Sequence, residues 1–252
     1  MSPILILMTI MIFIFGITIG SFLNVCIFRI PKEEEIVKTP SHCMKCGYRL
    51  KWYDLIPLFS FLMLKGRCRS CGEKLSIQYP MIEALNGILY VIVCFATDFT
   101  ADSILFCLMT SALIVLSVID FRTFEIPFGI NIFLFVLGVI RCIYDYRNLA
   151  TYLIGFFAVS VVLLLIQLLS KGRAIGGGDI KLMAAAGLLL GWKLILLAFV
   201  LGCIIGSIIH LMRMKISGEG HELAFGPYLS VGIFISALWG TNLLEAYFHL
   251  FI

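Results

Sequence analysis

The chain has 252 residues, of which 61% are hydrophobic, and a mean hydropathy of +1.06. Soluble domains are nearer about 45–50% apolar, so an ordinary soluble fold is excluded. Charged residues make up 13% and the net charge is +4, too small to imply a nucleic-acid partner. The natural partner of such a surface is the lipid bilayer.

Taken in chain order, the apolar runs predict eight spans, at 3–28, 81–97, 103–119, 126–144, 150–169, 180–192, 194–212 and 226–250, at about 20 residues per crossing. The run from Ile4 to Ile19 has no basic segment ahead of it and reads as a retained span, not a cleaved signal. The run at 180–192 is short, which predicts tilt or local thinning of the bilayer. Small residues recur four apart at Gly16 and Gly20, Gly187 and Gly191, and Gly202 and Gly206, a spacing that lets helices approach closely. No internal repeat or low-complexity segment is expected.

Residues 31–80 are the one polar stretch. They carry Cys43-Met44-Lys45-Cys46 and Cys68-Arg69-Ser70-Cys71, with glycines at 47 and 72 after each pair. Four thiolates so spaced suit tetrahedral Zn²⁺ at about 2.3 Å per bond, and a closed four-sulfur site is structural. A dithiol redox pair is the alternative. His42 is either an alternative ligand or a solvated loop residue. Cys26, Cys94, Cys107, Cys142 and Cys203 lie singly in apolar runs and read as small core hydrophobes.

The basic residues set an orientation. With 31–80 in the cytoplasm, 16 of the 19 Lys and Arg fall inside, and only Arg141, Arg147 and Lys193 outside. Both termini are then outside. The segments 120–125, 170–179 and 213–222 join 31–80 on the cytoplasmic face. The fold class is therefore an all-α polytopic membrane protein of about eight transmembrane helices, with a small zinc-binding cytoplasmic domain inserted after the first. It divides into a first helix (1–30), the four-cysteine domain (31–80) and a membrane core (81–252).

Two aspartates end apolar runs on that cytoplasmic face. Asp120 lies in Val118-Ile119-Asp120-Phe121-Arg122, and Asp179 follows Gly176-Gly177-Gly178. A charged group in a span costs about 2.5–3.5 kcal/mol on insertion scales, so such residues are read as functional by default. Asp179 alone could equally cap the next helix. Two such carboxylates are the minimum equipment of an aspartyl hydrolase.

The residues in order resemble the type IV prepilin peptidases, the leader peptidase/methyltransferases of type IV pilus, type II secretion and competence systems. Gly20-Ser21-Phe22-Leu23-Asn24-Val25 with Arg29 and Pro31 is similar to the family's N-terminal signature. The two cysteine pairs follow. Then come Ile56-Pro57, Ser60, Gly66-Arg67-Cys68, Tyr79-Pro80 with Glu83, Asp120-Phe121-Arg122-Thr123 with Ile126-Pro127, Gly176 to Asp179 with Lys181-Leu182, and Phe225-Gly226-Pro227. Met44, Phe128 and Ala224 depart from the family's usual Pro, Asp and Pro.

The resemblance implies a bacterial inner-membrane peptidase that removes the basic leader of prepilins or pseudopilins at the cytoplasmic face. Asp120 and Asp179 would be its catalytic pair and 81–252 its aspartyl peptidase core. It also implies N-methylation of the new N-terminus with S-adenosylmethionine. The cofactor-binding residues are not identified. Asn24, Glu83 and the 31–80 domain are contributors to weigh against simpler roles: helix-helix hydrogen bonding for Asn24 and an ion pair for Glu83. A presenilin-type intramembrane protease leaves the cysteines unexplained. A transporter would place its carboxylates near the midplane instead of at span ends.

Overall fold

The computed structural model describes residues 3–172, 175–217 and 223–251. Arg173 and the segment 218–222, both assigned above to the cytoplasmic face, lie outside the described residues. Among the described residues the regular structure is helical, and the chain forms two compact units, Met1–Val115 and Leu116–Ile252.

The first unit contains α1 (Pro3–Arg29), the cysteine module with its short α2 (Phe59–Met63), α3 (Gln78–Ala96) and the first part of α4 (Ala101–Thr123). α1 and α3 pack through small residues. A Cβ on Gly16 would meet the Gly87 Cα at 2.7 Å, and one on Gly20 would meet the Glu83 Cα at the same distance. A buried polar chain reinforces this contact. The Asn86 amide donates to the Gly16 carbonyl at 2.7 Å, Ser111 Oγ donates to Asn86 Oδ1 at 3.0 Å, and Tyr90 and Ser111 hydroxyls pair at 2.8 Å. In hydrocarbon such bonds contribute about 0.6–2 kcal/mol each.

The second unit contains the end of α4, then α5 (Phe128–Tyr144), α6 (Leu149–Ala158), α7 (Ser160–Leu169), α8 (Gly177–Leu190), α9 (Trp192–Ser217) and α10 (Gly226–Phe251). α8 is its core. Every residue from Leu182 to Leu190 is buried, and α5, α6, α7, α9 and α10 all pack on it. Gly155 and Gly187 let α6 and α8 touch, since a Cβ on either would overlap the other's backbone.

Helices occupy all eight predicted segments, with ends shifted by a few residues. The count of membrane helices changes. Six segments are long and apolar enough to cross a bilayer: Pro3–Lys32, Gln78–Ala96, Ala101–Thr123, Tyr146–Leu169, Trp192–Lys215 and Gly226–Leu250. α5 is apolar but shorter, and α8 has only 14 residues. The expectation of tilt or thinning for α8 presumes contact with lipid. Its apolar residues instead face neighbouring helices on all sides, so lipid thickness does not set its length. Gly16, Gly20, Gly187, Gly191 and Gly202 sit at close contacts, as their spacing predicts, whereas Gly206 makes only ordinary contact with Tyr228 and Phe225.

Candidate active site and metal centre

In the second unit, Asp120 lies one turn before the end of α4 and is 4% exposed. The α4 helix stops just beyond it, where Phe124 turns left-handed (φ 56°) and donates its N–H to the Asp120 carbonyl at 2.9 Å. The Asp120 carboxylate accepts the N–H of Gly226 at 2.9 Å. Gly226 opens α10 and Pro227 follows it, so the first turn has a free N–H aimed at an anion and a preset backbone. Only glycine fits at 226, because a Cβ there would stand 2.7 Å from Asp120 Oδ2 and 3.0 Å from Leu116.

Asp179 is in the first turn of α8, half-buried, and its carboxylate accepts the N–H of Gly176, the residue capping that helix. This is the return half of a capping box. The capping role is therefore real. The charge of Asp120 is felt at Asp179, so the two carboxylates share one neighbourhood. Gly178 is needed there for space, since a Cβ would meet Ile126 at 2.8 Å. Glu125, in the same loop as Ile126, is exposed.

Near the pair, Asn131 escaped the sequence reading, and Phe128, noted there as a departure, gains a contact. Asn131 on α5 is 4% exposed, reaches the Gly178 carbonyl with its amide at 3.5 Å, and its buried oxygen has no partner among the described residues. The one available signal was an amide inside an apolar helix four residues past Pro127. Phe128 holds Lys181 over its ring at 4.8 Å, so where the family usually has a carboxylate this chain steadies a cation with an aromatic face.

In the first unit, Cys43, Cys46, Cys68 and Cys71 converge, with all four sulfurs within 4.8 Å of one another. The Cys43–Cys71 and Cys46–Cys68 separations are 3.9 and 4.0 Å. A tetrahedron with metal–sulfur bonds of about 2.3 Å has edges of about 3.8 Å, so the donor set fits a tetrahedral metal such as Zn²⁺. The N–H groups of Cys46 and Lys45 favour the Cys43 thiolate and bring that thiol down to about 6. For Cys71 an N–H from Glu73 acts the same way, but burial and the other sulfurs outweigh it and push it up to about 11. Without a cation, four crowded sulfurs cannot all ionise. His42 is exposed, bonds to the Pro40 carbonyl, and is not in the cluster.

The module also corrects the expectation of no repeat. Cys43-x-x-Cys46-Gly47-x-Arg49-Leu50 recurs as Cys68-x-x-Cys71-Gly72-x-Lys74-Leu75. The backbone bonds recur with it. Cys43 N–H donates to Tyr48 O at 2.9 Å and Gly47 N–H to Cys43 O at 2.9 Å, while Cys68 N–H donates to Glu73 O at 2.8 Å and Gly72 N–H to Cys68 O at 3.0 Å. The two turns are joined by the Lys45–Glu73 ion pair and by Asp54, whose buried carboxylate accepts from Arg69 Nε at 2.7 Å and from the Lys51 N–H at 3.2 Å.

A cavity of about 1280 Å³ lies between this module and the ends of α1 and α3, lined in part by Ser21, Asn24, Arg29, Glu34, Glu35 and Glu83. Asn24 donates to the Tyr79 carbonyl at 3.1 Å and accepts from Gln78, so it joins α1 to α3 as the simpler reading has it. Among the described residues Glu83 makes no ion pair. It accepts the Leu58 N–H at 2.7 Å and a hydrogen bond from Ser21. Arg29 donates to the carbonyls of Glu35, Ile36, Thr39 and Pro40 and so folds the loop that leaves α1.

Two family models match the chain in order. The Bacterial Peptidase A24 N-terminal domain matches residues 14–97, and the Type IV leader peptidase family matches residues 107–211. A prepilin leader peptidase/N-methyltransferase of Xanthomonas campestris is 32% identical over 92% of this chain and 91% of its own length. Those of Aeromonas salmonicida and Pseudomonas putida are 30% and 27% identical, over 94% and 91% of this chain and 92% and 90% of their own lengths. No solved structure matches it. With four cysteines, two aspartates and near full-length similarity in one order, the chain belongs to the type IV leader peptidase family, the prepilin leader peptidase/N-methyltransferases.

Proposed function

We propose that this protein cleaves the basic leader from type IV prepilins or pseudopilins with Asp120 and Asp179, and then methylates the new N-terminus. The observation that carries the first half is the pair of carboxylates in one neighbourhood, each held by a helix-start N–H, from Gly226 and from Gly176. Two close carboxylates share one proton and titrate as a pair. The ionised one takes a proton from water as the water oxygen bonds to the scissile carbonyl carbon. The protonated one hydrogen-bonds to the carbonyl oxygen. Collapse of the tetrahedral adduct breaks the C–N bond, and the leaving nitrogen takes up the proton.

The basic-residue asymmetry supports a bacterial inner-membrane placement with both termini outside and 31–80, Asp120 and Asp179 at the cytoplasmic face. A substrate whose apolar helix lies in the membrane presents its leader junction on that side. In this reading Cys43, Cys46, Cys68 and Cys71 hold a structural Zn²⁺ in the 31–80 module, and the peptidase core lies within 81–252.

The methyl donor, S-adenosylmethionine, supplies an electrophilic methyl group to the free amine when bound. The first-unit cavity is larger than the about 300–1,000 Å³ usual for small-ligand pockets and offers Ser21, Glu34 and Glu35 as polar groups. Asn24 and Glu83 form its wall, since protein groups already occupy them. Mass spectrometry of a co-expressed prepilin tests both halves at once. A mature N-terminus one methyl heavier than the bare cleaved chain is expected. An intact leader overturns the peptidase reading, and a cleaved but unmethylated terminus overturns the second half alone.

A further inference from the structure

The cysteine module carries an apolar face that its metal chemistry does not explain. Trp52 is 77% exposed, Phe59 58%, Leu62 72% and Met63 68%. Phe59, Leu62 and Met63 recur at helical spacing on α2 and share one face, whereas Ser60, Phe61 and Leu64 line the cavity. We propose that the Phe59, Leu62 and Met63 face of α2 lies in the lipid of the same bilayer that α1 and α3 cross, as a shallow segment beside those helices instead of in the water above them.

The argument is one of depth. α3 has 19 residues, a length of about 28 Å at 1.5 Å per residue, which only just matches a hydrocarbon core of about 30 Å. It has no spare turn to hold in water, so its whole length is within the membrane. Glu83 is five residues into α3, about 7 Å below its start. On α1 the facing residue is Gly20, nine residues before the helix end at Arg29. Leu58 donates its N–H to Glu83 at 2.7 Å, which fixes the start of α2 at that same level.

The local backbone is built to make this bond. Leu58 stands at φ 60°, ψ −48°, with the Phe59 N–H donated back to the Pro57 carbonyl at 2.6 Å. This is a γ-turn of the rare strained kind, and it turns the Leu58 N–H outward to the carboxylate. A carboxylate at this depth needs internal donors, and Leu58 and Ser21 supply them. The exposed face of α2 is therefore level with the exposed stripe of α3 at Met81, Leu85 and Ile88, which is itself lipid-facing. Lys51 and Lys65 bracket the segment, where cations reach lipid headgroups.

Depth-dependent fluorescence quenching tests the proposal on the full chain in phosphatidylcholine/phosphatidylglycerol vesicles. Trp52, Trp192 and Trp239 are replaced by Phe, and one Trp is placed at Leu62→Trp or, as a water-exposed reference in the same module, at Val37→Trp (88% exposed). Brominated lipid is expected to quench Leu62→Trp several-fold more than Val37→Trp, and aqueous iodide several-fold less. Equal iodide quenching at both positions overturns the proposal. Protection of Leu62→Trp from both quenchers also overturns it, because protein would then cover the face. Zinc content checks that each variant has folded, and Met63→Trp probes the same face if Leu62→Trp does not hold metal.

Discussion

Glycine does opposite jobs in the cysteine module and in the helix packing of the second unit. In the cysteine module, Gly47 and Gly72 both stand at φ 69° with nothing within 4 Å of where a Cβ would be. They are there for backbone conformation. In the second unit, Gly155, Gly187 and Gly226 have ordinary backbone angles, but a Cβ on any of them would meet another residue at under 3 Å. They are there for space. The module is thus a pair of local turns whose geometry each turn makes for itself. The core is a set of close approaches between segments far apart in the chain, with α8 at their centre. A defect in a turn should be small and local, whereas a defect in an approach should reach the carboxylates.

The largest expected effect comes from the core. Asp120→Asn and Asp179→Asn should each lower prepilin cleavage by about 10³-fold or more, with insertion and zinc content unchanged, and the double variant should be no worse than either single one. Glu125→Gln, in the same exposed loop, should keep most of the activity. Cleavage assays on purified protein in detergent decide it. Near-normal activity in either aspartate variant removes the two-carboxylate mechanism.

Next is the metal. Metal analysis should find about one Zn²⁺ per chain, and Cys46→Ser should lose it, because three thiolates leave the tetrahedron open. If the module acts apart from the two aspartates, loss of metal should loosen the module to proteolysis while lowering cleavage far less than either aspartate change does. Equal losses would mean the module helps to form the peptidase site.

A direct trial of the comparison sets Gly226→Ala against Gly47→Ala. The first puts a methyl 2.7 Å from Asp120 Oδ2, and it should lower cleavage by about 10²-fold, the usual penalty for misplacing a catalytic group by about 1 Å. The second meets no neighbour and only strains one turn, at about 1 kcal/mol of module stability with cleavage unchanged. If both variants cut equally well, space at Gly226 does not matter to the dyad.

This contrast also explains what could be read from the sequence. The module's sulfurs were legible because a Cys-x-x-Cys-Gly turn is complete within a few residues. The two aspartates stood out because a carboxylate in an apolar run is conspicuous. The reason for Gly226 was not, since its partner is 106 positions away and nothing local at Phe225-Gly226-Pro227 announces a contact with Asp120. The burial of α8 was hidden for the same reason: an apolar helix enclosed by protein and one enclosed by lipid have the same composition. Glu83 looked like an ion-pair residue because basic residues abound nearby, and only the turn at Leu58 brings it a backbone N–H instead.

The smallest effect concerns Asp54, which holds the two cysteine turns together. Burial works to raise its carboxyl, but the Arg69 guanidinium and the Lys51 N–H outweigh that and hold it below the ordinary range. The bond from Arg69 is only partly shielded, since that side chain is 44% exposed, so Asp54→Asn should cost about 1 kcal/mol of module stability and leave cleavage intact. The sign of the pH dependence follows from the lowered folded-state value. The stabilisation is complete above the unfolded carboxylate range, about pH 4, and is lost as pH falls below it through the folded value. Between pH 6 and 8 the gap between wild type and Asp54→Asn in resistance to proteolysis should therefore stay constant. A gap that grows or closes across that interval would assign the link between the turns to a group other than this carboxylate.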